Sequence, residues 1–135
     1  MNKQVLGLYG TANAGKSTTL RKLYELLTKA YPAAHIEIIH PVRVDFTVII
    51  EIDGVLIGIE SQGDPGSRLA ESIELFKKRG CVIIVCTTRT RGSTVVIVEA
   101  LQPEFTITWH HKIAGEDDSK MAQTIFKQIQ DALGA

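Results

Sequence analysis

The sequence predicts a three-layer α/β domain with a mostly parallel sheet and one antiparallel edge hairpin. Short apolar runs alternate with segments of helical periodicity, which is the pattern of parallel strands joined by helices. Two β-branched runs meet at Asp53-Gly54, a dipeptide that favours a two-residue hairpin turn. The length of 135 residues indicates that residues 1–135 form a single domain.

The N-terminal half is predicted to contain a strand, a helix and the hairpin. Val5 to Tyr9 is a short apolar run that suits a buried parallel strand. A helix is predicted from Lys16 to about Ala30, since leucines recur at spacings of three and four, and Tyr31-Pro32 ends it. Further strands are predicted at His35–Ile39, Val44–Ile52 and Val55–Glu60.

The C-terminal half continues the alternation of helix and strand. Asp64-Pro65 is predicted to open a second helix, which Gly80 ends. Ser93 to Leu101 is assigned as a helix because parallel neighbours need a crossover connection. The other elements are a central strand at Cys81–Cys86, a strand containing Phe105, Ile107 and Trp109, and a final helix capped by Asp117 or Asp118.

Composition excludes several classes of protein. Hydrophobic residues make up 44% and charged residues 22%, and the formal net charge is +0. This balance is typical of a globular domain and gives no basic surface for nucleic acid. The N-terminus leads directly into an apolar strand, with no signal peptide or membrane span. The sequence therefore predicts a cytoplasmic protein without a membrane partner.

The two cysteines, Cys81 and Cys86, lie in one apolar run. Their odd separation predicts that they face opposite sides of a strand, which excludes a mutual disulfide. We expect two reduced core residues.

The segment after the first strand carries the most specific motif. Residues 10–17, GTANAGKS, match the pattern G-x-x-x-x-G-K-[ST]. In this pattern backbone N–H groups surround phosphate oxygens, Lys16 reaches the β and γ phosphates, and Ser17 offers a hydroxyl to Mg²⁺. The helix that follows adds the positive end of its dipole. The predicted nucleotide-binding residues are Gly10, Thr11, Ala12, Asn13, Ala14, Gly15, Lys16, Ser17 and Thr18.

A phosphate loop of this kind needs an acidic group at the end of a nearby strand to hold Mg²⁺. Glu60 ends a predicted strand and is the first choice, with Asp64 second. Asp64 has an alternative role as a helix cap before Pro65. Gln62 is a candidate for orienting water. The competing carboxylates are Asp45, Glu51 and Asp53, and the last is discounted because it belongs to the hairpin turn.

A polar segment with two arginines follows the Cys81–Cys86 strand. Arg89 and Arg91 are placed to contact phosphate or a second substrate, and Arg89 is preferred because it lies nearer the strand end. The alternative is a solvated basic loop. His110 and His111 are excluded as a shared metal site, because adjacent strand residues point to opposite faces.

These motifs resemble the P-loop NTPase superfamily. The order of elements is similar to that of the small GTPase core, with Glu60 and Gly63 in place of an Asp-x-x-Gly motif. The guanine-reading Asn-Lys-x-Asp motif is replaced by residues 87–90, TTRT, so ATP is expected in preference to GTP. The Thr-Thr-Arg run is similar to that of guanylate-kinase-like enzymes, and the chain also looks similar to small bacterial and phage ATP-binding proteins.

The resemblance implies three functional alternatives. The first is Mg²⁺-dependent binding and hydrolysis of ATP, with Lys16, Glu60, Gln62 and Arg89 at the reaction centre. The second is a nucleotide-dependent switch that acts on a protein partner or within a homodimer. The third is a small-molecule or nucleotide kinase, in which Arg89 and Arg91 hold the acceptor.

Overall fold

The computed structural model describes residues 2–42 and 45–134. These residues form six strands and four helices. The strands are β1 (Gln4–Tyr9), β2 (His35–His40), β3 (Thr47–Ile52), β4 (Val55–Glu60), β5 (Ile83–Thr88) and β6 (Thr106–His111). The helices are α1 (Lys16–Ala30), α2 (Leu69–Arg79), α3 (Ser93–Glu99) and α4 (Asp118–Gly134). Val44, at the start of the predicted Val44–Ile52 strand, lies outside the described residues.

The strands form one sheet in the order β2-β3-β4-β5-β1-β6. β5 pairs in parallel with β4 and β1, and β1 pairs in parallel with β6, whereas β3 runs antiparallel to both of its neighbours. A mostly parallel sheet is therefore confirmed. The placement of the hairpin at the edge is wrong, because β2 covers the outer side of β3. Residues 47–50 are buried on both faces of the sheet, which suits an interior strand.

Helices cover both faces of the sheet. The apolar cluster on one face contains buried residues of α1 and α4, and the cluster on the other face contains those of α2 and α3. Side chains alternate along β1, so that Leu6 and Leu8 pack toward α1 while Val5 packs toward α2 and α3. This arrangement brings the carboxyl ends of the parallel strands β4, β5, β1 and β6 to one edge of the sheet.

Several predicted boundaries are wrong. β3 begins at Thr47, β5 ends at Thr88 rather than Cys86, and α3 ends at Glu99 rather than Leu101. Helix α2 begins at Leu69 rather than at Asp64-Pro65, because Gly66 adopts a positive φ of 74° and the Ser67 N–H closes a turn onto the Asp64 carbonyl. The central strand begins at Ile83 rather than Cys81. The Cys81 N–H is bonded to the Phe76 carbonyl at the end of α2 and does not pair with β1.

The cysteine prediction is confirmed in part. Cys81 and Cys86 are both buried free thiols. They do not face opposite sides of the sheet, however, since both side chains belong to the cluster beneath α2 and α3. The reason is that Cys81 precedes the strand, where the period-two alternation does not apply.

Several local signals are confirmed. Asp53 and Gly54 have positive φ values of 50° and 80°, as the hairpin turn requires. The Asp117 carboxylate accepts a 2.9 Å hydrogen bond from the Ser119 N–H and caps α4. None of the helices within residues 2–42 and 45–134 combines the length and the apolar character needed to cross a membrane.

Candidate functional site

A cavity of about 450 Å³ opens at the edge of the sheet where the parallel strands end. We call it the loop cavity. The segments that line it come from the β1–α1 connection, the approach to β3, the turn after β4 and the end of β5. Its lining residues are Ala12, Asn13, Ala14, Gly15, Lys16, Ser17, Thr18, Asp45, Ser61, Gly63, Asp64 and Thr87.

The segment Gly10–Ser17 wraps around one side of this cavity. Asn13 and Gly15 have positive φ values of 63° and 90°, so the backbone reverses its curvature twice before α1 begins. Among the described residues, the N–H groups of Asn13, Gly15 and Lys16 donate no hydrogen bond to another part of the chain. Backbone amides that line a concave turn at a helix N-terminus form an anion-binding arrangement.

Lys16 is the first residue of α1, and its ammonium lies within the loop. Nζ donates hydrogen bonds of 2.7 Å to the carbonyls of Gly10 and Thr88, and the residue is 8% exposed. Burial lowers the pKa of Lys16 below the ordinary lysine value, Asp64 opposes this shift, and Arg89 adds to it. The cavity therefore holds a partly desolvated cation whose interaction with an anion would be stronger than in water.

Ser17 and Asp45 meet on the other side of the cavity. The Ser17 hydroxyl donates a 2.7 Å hydrogen bond to Oδ1 of Asp45 and also contacts the Ser61 carbonyl at 3.3 Å. A hydroxyl, a carboxylate and a carbonyl are the hard oxygen donors that Mg²⁺ prefers. Among the carboxylates considered from the sequence, the structure brings Asp45 into contact with Ser17.

The loop is supported from beneath by Lys112, which follows β6. Lys112 is 1% exposed, and its ammonium donates to the carbonyls of Ala14, Ile113 and Glu116 at 2.8–3.0 Å. The same ammonium forms a 2.9 Å ion pair with Asp118, at the start of α4. These contacts tie the loop to the segment that joins β6 and α4.

Glycine is required at position 15 for two reasons. Its φ of 90° disfavours other residues, and a Cβ there would lie 2.6 Å from the Asp118 carboxylate. Asp118, held by Lys112, therefore packs directly against the backbone of the loop. The motif glycine has a tertiary role in addition to its conformational one.

The turn after β4 closes the cavity toward β5. The Thr87 hydroxyl donates a 2.9 Å hydrogen bond to the Ser61 carbonyl. A Cβ on Gly63 would collide with the Thr87 carbonyl, so only glycine lets these backbones approach. Asp64 extends from this turn, and its Oδ1 accepts a 2.8 Å hydrogen bond from Nε of Arg89.

Glu60 lies apart from the cavity. Its side chain is fully buried on the α2 side of the sheet, where it accepts hydrogen bonds from Thr47, Ser72 and Arg68. Its second oxygen accepts a 2.9 Å bond from the Gln62 N–H. The structure thus engages both oxygens of Glu60 in holding the β4–α2 turn, and Glu60 is not among the cavity-lining residues.

The other residues selected from the sequence are distributed around this site. Gln62 accepts a long 3.5 Å hydrogen bond from the Arg68 N–H and does not line the cavity. Arg89 reaches the site through Asp64, while Arg91 is exposed. Glu51 and Asp53 lie at the hairpin, at the opposite end of β3 from Asp45.

Two residues of the site have little signal in the sequence. Asp45 is one of several competing carboxylates there, because nothing local shows that it lies beside Ser17. Lys112 is not among the candidates predicted from the sequence. Its available signal is a lysine placed directly after an alternating strand, at the edge where the loop lies.

The adjacent histidines His110 and His111 have separate partners. His110 contacts Gln128 of α4 at 2.8 Å, whereas His111 stacks on Tyr9, so the two rings occupy opposite faces as expected. Within the described part of the chain, no three His, Cys, Asp or Glu side chains are grouped in a way that could hold a metal ion.

Comparison of the chain with models of protein families, with curated proteins and with solved structures gave no match.

Proposed function

We propose that this chain is a P-loop NTPase that binds ATP with Mg²⁺ and hydrolyses it. The observation that carries the proposal is the convergence of four features on one cavity. These features are unengaged loop amides, the Lys16 ammonium, the Ser17–Asp45 pair and the N-terminus of α1. Each of them favours a polyphosphate or its metal ion.

The loop residues bind and orient the phosphates in this proposal. The amides of Asn13, Gly15 and Lys16 donate to phosphate oxygens, and the Lys16 ammonium exchanges its contacts with the Gly10 and Thr88 carbonyls for contacts with phosphate. The Ala14 carbonyl accepts a hydrogen bond from the Lys112 ammonium, which occupies it. The bound anion therefore meets donors without a competing acceptor at that position.

The oxygen donors of Ser17 and Asp45 fit Mg²⁺. When bound with the nucleotide, Mg²⁺ neutralises charge that develops on the phosphate oxygens. Because Ser17 and Asp45 supply only two ligands, the ion would retain water and take further ligands from the nucleotide, as Mg²⁺ commonly does. Glu60 then has a positioning role, since it holds the turn that carries Gly63 and Asp64.

Asp64 and Arg89 lie at the rim of the cavity as an exposed ion pair. An arginine at this place can approach the transferring phosphoryl group and stabilise its charge. Asp64, released from Arg89, can accept a hydrogen bond from the attacking water. The choice of ATP rests on the sequence after β5, where no aspartate stands ready to pair with a guanine edge.

The proposal is tested by measuring phosphate release from ATP, GTP, CTP and UTP with and without Mg²⁺. Single-turnover conditions with excess protein allow slow hydrolysis to be detected. We expect Mg²⁺-dependent release from ATP that is lost in Lys16→Ala and retained in Lys29→Ala, a control at an exposed lysine of the same helix. Equal release by wild type and Lys16→Ala, or none with any nucleotide, would overturn the assignment of hydrolysis.

One observation favours the switch as a second candidate. The β4–α2 turn contributes Gly63 and Asp64 to the loop cavity, and Glu60 links the same turn to Ser72 of α2. A change at the terminal phosphate could therefore be transmitted to α2. Hydrogen exchange in residues 61–72 should differ between an ATP analogue and ADP, whereas identical protection would count against a switch.

A further inference from the structure

A second cavity of about 300 Å³ lies beside β1 and is separate from the loop cavity. It is lined by Tyr9, Thr90, Val95 and Trp109, none of which lines the first cavity. Tyr9 and Trp109 come from the carboxyl halves of β1 and β6, Thr90 follows β5, and Val95 belongs to α3. We call this cavity the aromatic pocket.

The aromatic pocket has ordered walls. The Tyr9 and Trp109 rings are perpendicular, with an interplanar angle of 86° and centroids 5.9 Å apart. His111 stacks in parallel on Tyr9 with centroids 4.5 Å apart. Trp109 lies against Gly7 of β1, where a Cβ would approach its ring to 2.7 Å. Each ring is thus fixed by a neighbour, and this leaves little rotamer freedom to lose on binding.

The pocket lies beside the first turn of α3, which contributes Val95 to its lining. Val98 of α3 is buried in the core, whereas Tyr9 and Trp109 stay partly exposed near the end of the sheet. Two aromatic residues are consequently left accessible at the edge where ligands of α/β sheets bind.

We infer that the aromatic pocket binds the planar heteroaromatic ring of a small molecule of nucleobase or nucleoside size, separate from the triphosphate. Its volume is at the low end of the range of about 300–1,000 Å³ typical of ligand sites. Its lining consists of two aromatic side chains, one valine and one threonine, and includes no charged group. This chemistry favours stacking of a neutral ring, with the Tyr9 and Thr90 hydroxyls available for polar contacts.

Placement within the fold assigns the ring to a separate molecule. Helix α1, which begins within the Gly10–Ser17 loop, packs on the face that contains Leu6 and Leu8. By the alternation of β1, Tyr9 projects on the other face, with Val5. The ring source is therefore a free nucleoside-like molecule rather than the base of the nucleotide held by the loop. The inference does not depend on hydrolysis at the loop.

Trp109 is the single tryptophan of the chain, so its fluorescence reports on this pocket. Adenosine and guanosine, which carry no phosphate, are titrated into the full chain, with ribose as a control for the sugar. We expect a saturable change with a nucleoside and none with ribose. The same change should appear in Lys16→Ala, and excess Mg²⁺·ATP should not displace the nucleoside competitively.

Two variants of α3 provide a matched pair. Val95→Glu places a charge in the pocket, whereas Val96→Glu places it one residue away at a side chain that is 64% exposed. We expect nucleoside affinity to fall by about tenfold or more in Val95→Glu, and to be unchanged in Val96→Glu, with both variants shown to be folded by circular dichroism.

Three results would overturn the inference. They are no saturable change with either nucleoside, equal binding by Val95→Glu and wild type, and competitive displacement by ATP or loss of binding in Lys16→Ala. The last would place the ring at the loop cavity. If nucleoside binds as expected while ATP turnover fails, the aromatic pocket stands and the hydrolytic assignment falls.

Discussion

The hydroxyl of Ser17 and the carboxylate of Asp45 are joined by a 2.7 Å hydrogen bond between the first turn of α1 and the segment before β3. Two segments that are distant in sequence thus place oxygen donors side by side at the loop cavity. Asp45 is half-buried there, while Glu60 is fully buried on the other side of the sheet. The metal-side carboxylate in our proposal is therefore Asp45.

Asp45→Asn should weaken binding of Mg²⁺·ATP by about ten- to a hundredfold, because hydrogen bonds to charged groups contribute about 1.5–3 kcal/mol. The Mg²⁺ concentration needed for half-maximal nucleotide binding should rise with it. Titration calorimetry at several Mg²⁺ concentrations measures both quantities. An unchanged Mg²⁺ dependence would exclude Asp45 from the metal side.

Glu60→Gln should act mainly on stability. It removes the charge that pairs with Arg68 and disturbs bonds to Thr47 and Ser72, so the free energy of unfolding should fall by about 3 kcal/mol. Urea unfolding of both variants provides the comparison. A larger shift in Mg²⁺ dependence for Glu60→Gln than for Asp45→Asn would restore Glu60 as the metal ligand.

The Lys112–Asp118 pair should couple the β6–α4 segment to nucleotide binding. Lys112→Met removes the donor to three carbonyls and leaves Asp118 unpaired, so we expect a stability loss of about 3 kcal/mol and weaker ATP binding. Lys120→Met, at an exposed position of α4, is the control. In the double variant Lys112→Met/Asp118→Asn, the loss of unfolding free energy should differ from the sum of the two single losses by about 1 kcal/mol. Additive effects would show that the two side chains act independently.

The depressed pKa of Lys16 should appear in the pH dependence of binding. The ammonium form attracts phosphate, so affinity for ATP should fall on the alkaline side at a lower pH than an ordinary lysine would give. In that range binding should take up protons, measurable by calorimetry in buffers of different ionisation enthalpy. Arg89→Ala should move this loss of affinity to higher pH for two reasons. Arg89 itself lowers the pKa of Lys16, and it also pairs with Asp64, the carboxylate that raises the pKa of Lys16.

The stability of the folded protein should depend on pH with the opposite sign to ATP affinity. A lysine whose pKa is lower in the folded protein binds fewer protons there than in the unfolded chain. The contribution of Lys16 to the stability of the nucleotide-free protein should therefore become more favourable as pH rises through its lowered pKa. Lys16→Met should remove this dependence of stability on pH.

For ATP binding, a loss of affinity at the same alkaline pH in wild type and Arg89→Ala would contradict the assignment of that loss to Lys16.

The cysteines should be unreactive in the folded protein. Burial raises the pKa of Cys81 to about 11 and that of Cys86 to about 12, so neither is a thiolate near neutral pH. An aromatic disulfide reagent should react slowly with the native protein. In guanidinium chloride the same reagent should react with both thiols. Rapid native labelling would show that the cluster beneath α2 and α3 opens readily.

The local parts of the fold were predictable from the sequence. Spaced leucines indicated α1 with its observed bounds, and Asp53-Gly54 identified the turn between β3 and β4. The beginning of α2 was less accessible, because Asp64-Pro65 is a common helix start and the turn at Gly66 competes with it. Propensity and spacing act over a few residues, and these elements depend on such short-range preferences.

The arrangement of the site required tertiary information. Period-two alternation placed Glu60 at a strand end but did not tell which face α1 covers, and the face decides whether its carboxylate meets Ser17. The sheet order also places β5 between β4 and β1, which separates Glu60 from the loop strand. Asp45 and Lys112 reach the loop through long-range packing that no local pattern encodes.

The central claim is that the Gly10–Ser17 loop binds the phosphates of ATP through Lys16. Titration calorimetry of Mg²⁺·ATP against wild type, Lys16→Ala and Lys29→Ala tests it most directly. The account predicts one-to-one binding by wild type and Lys29→Ala, and a loss of affinity of at least about a hundredfold in Lys16→Ala, since a buried charge–phosphate contact is removed. Equal affinity in all three proteins would contradict it.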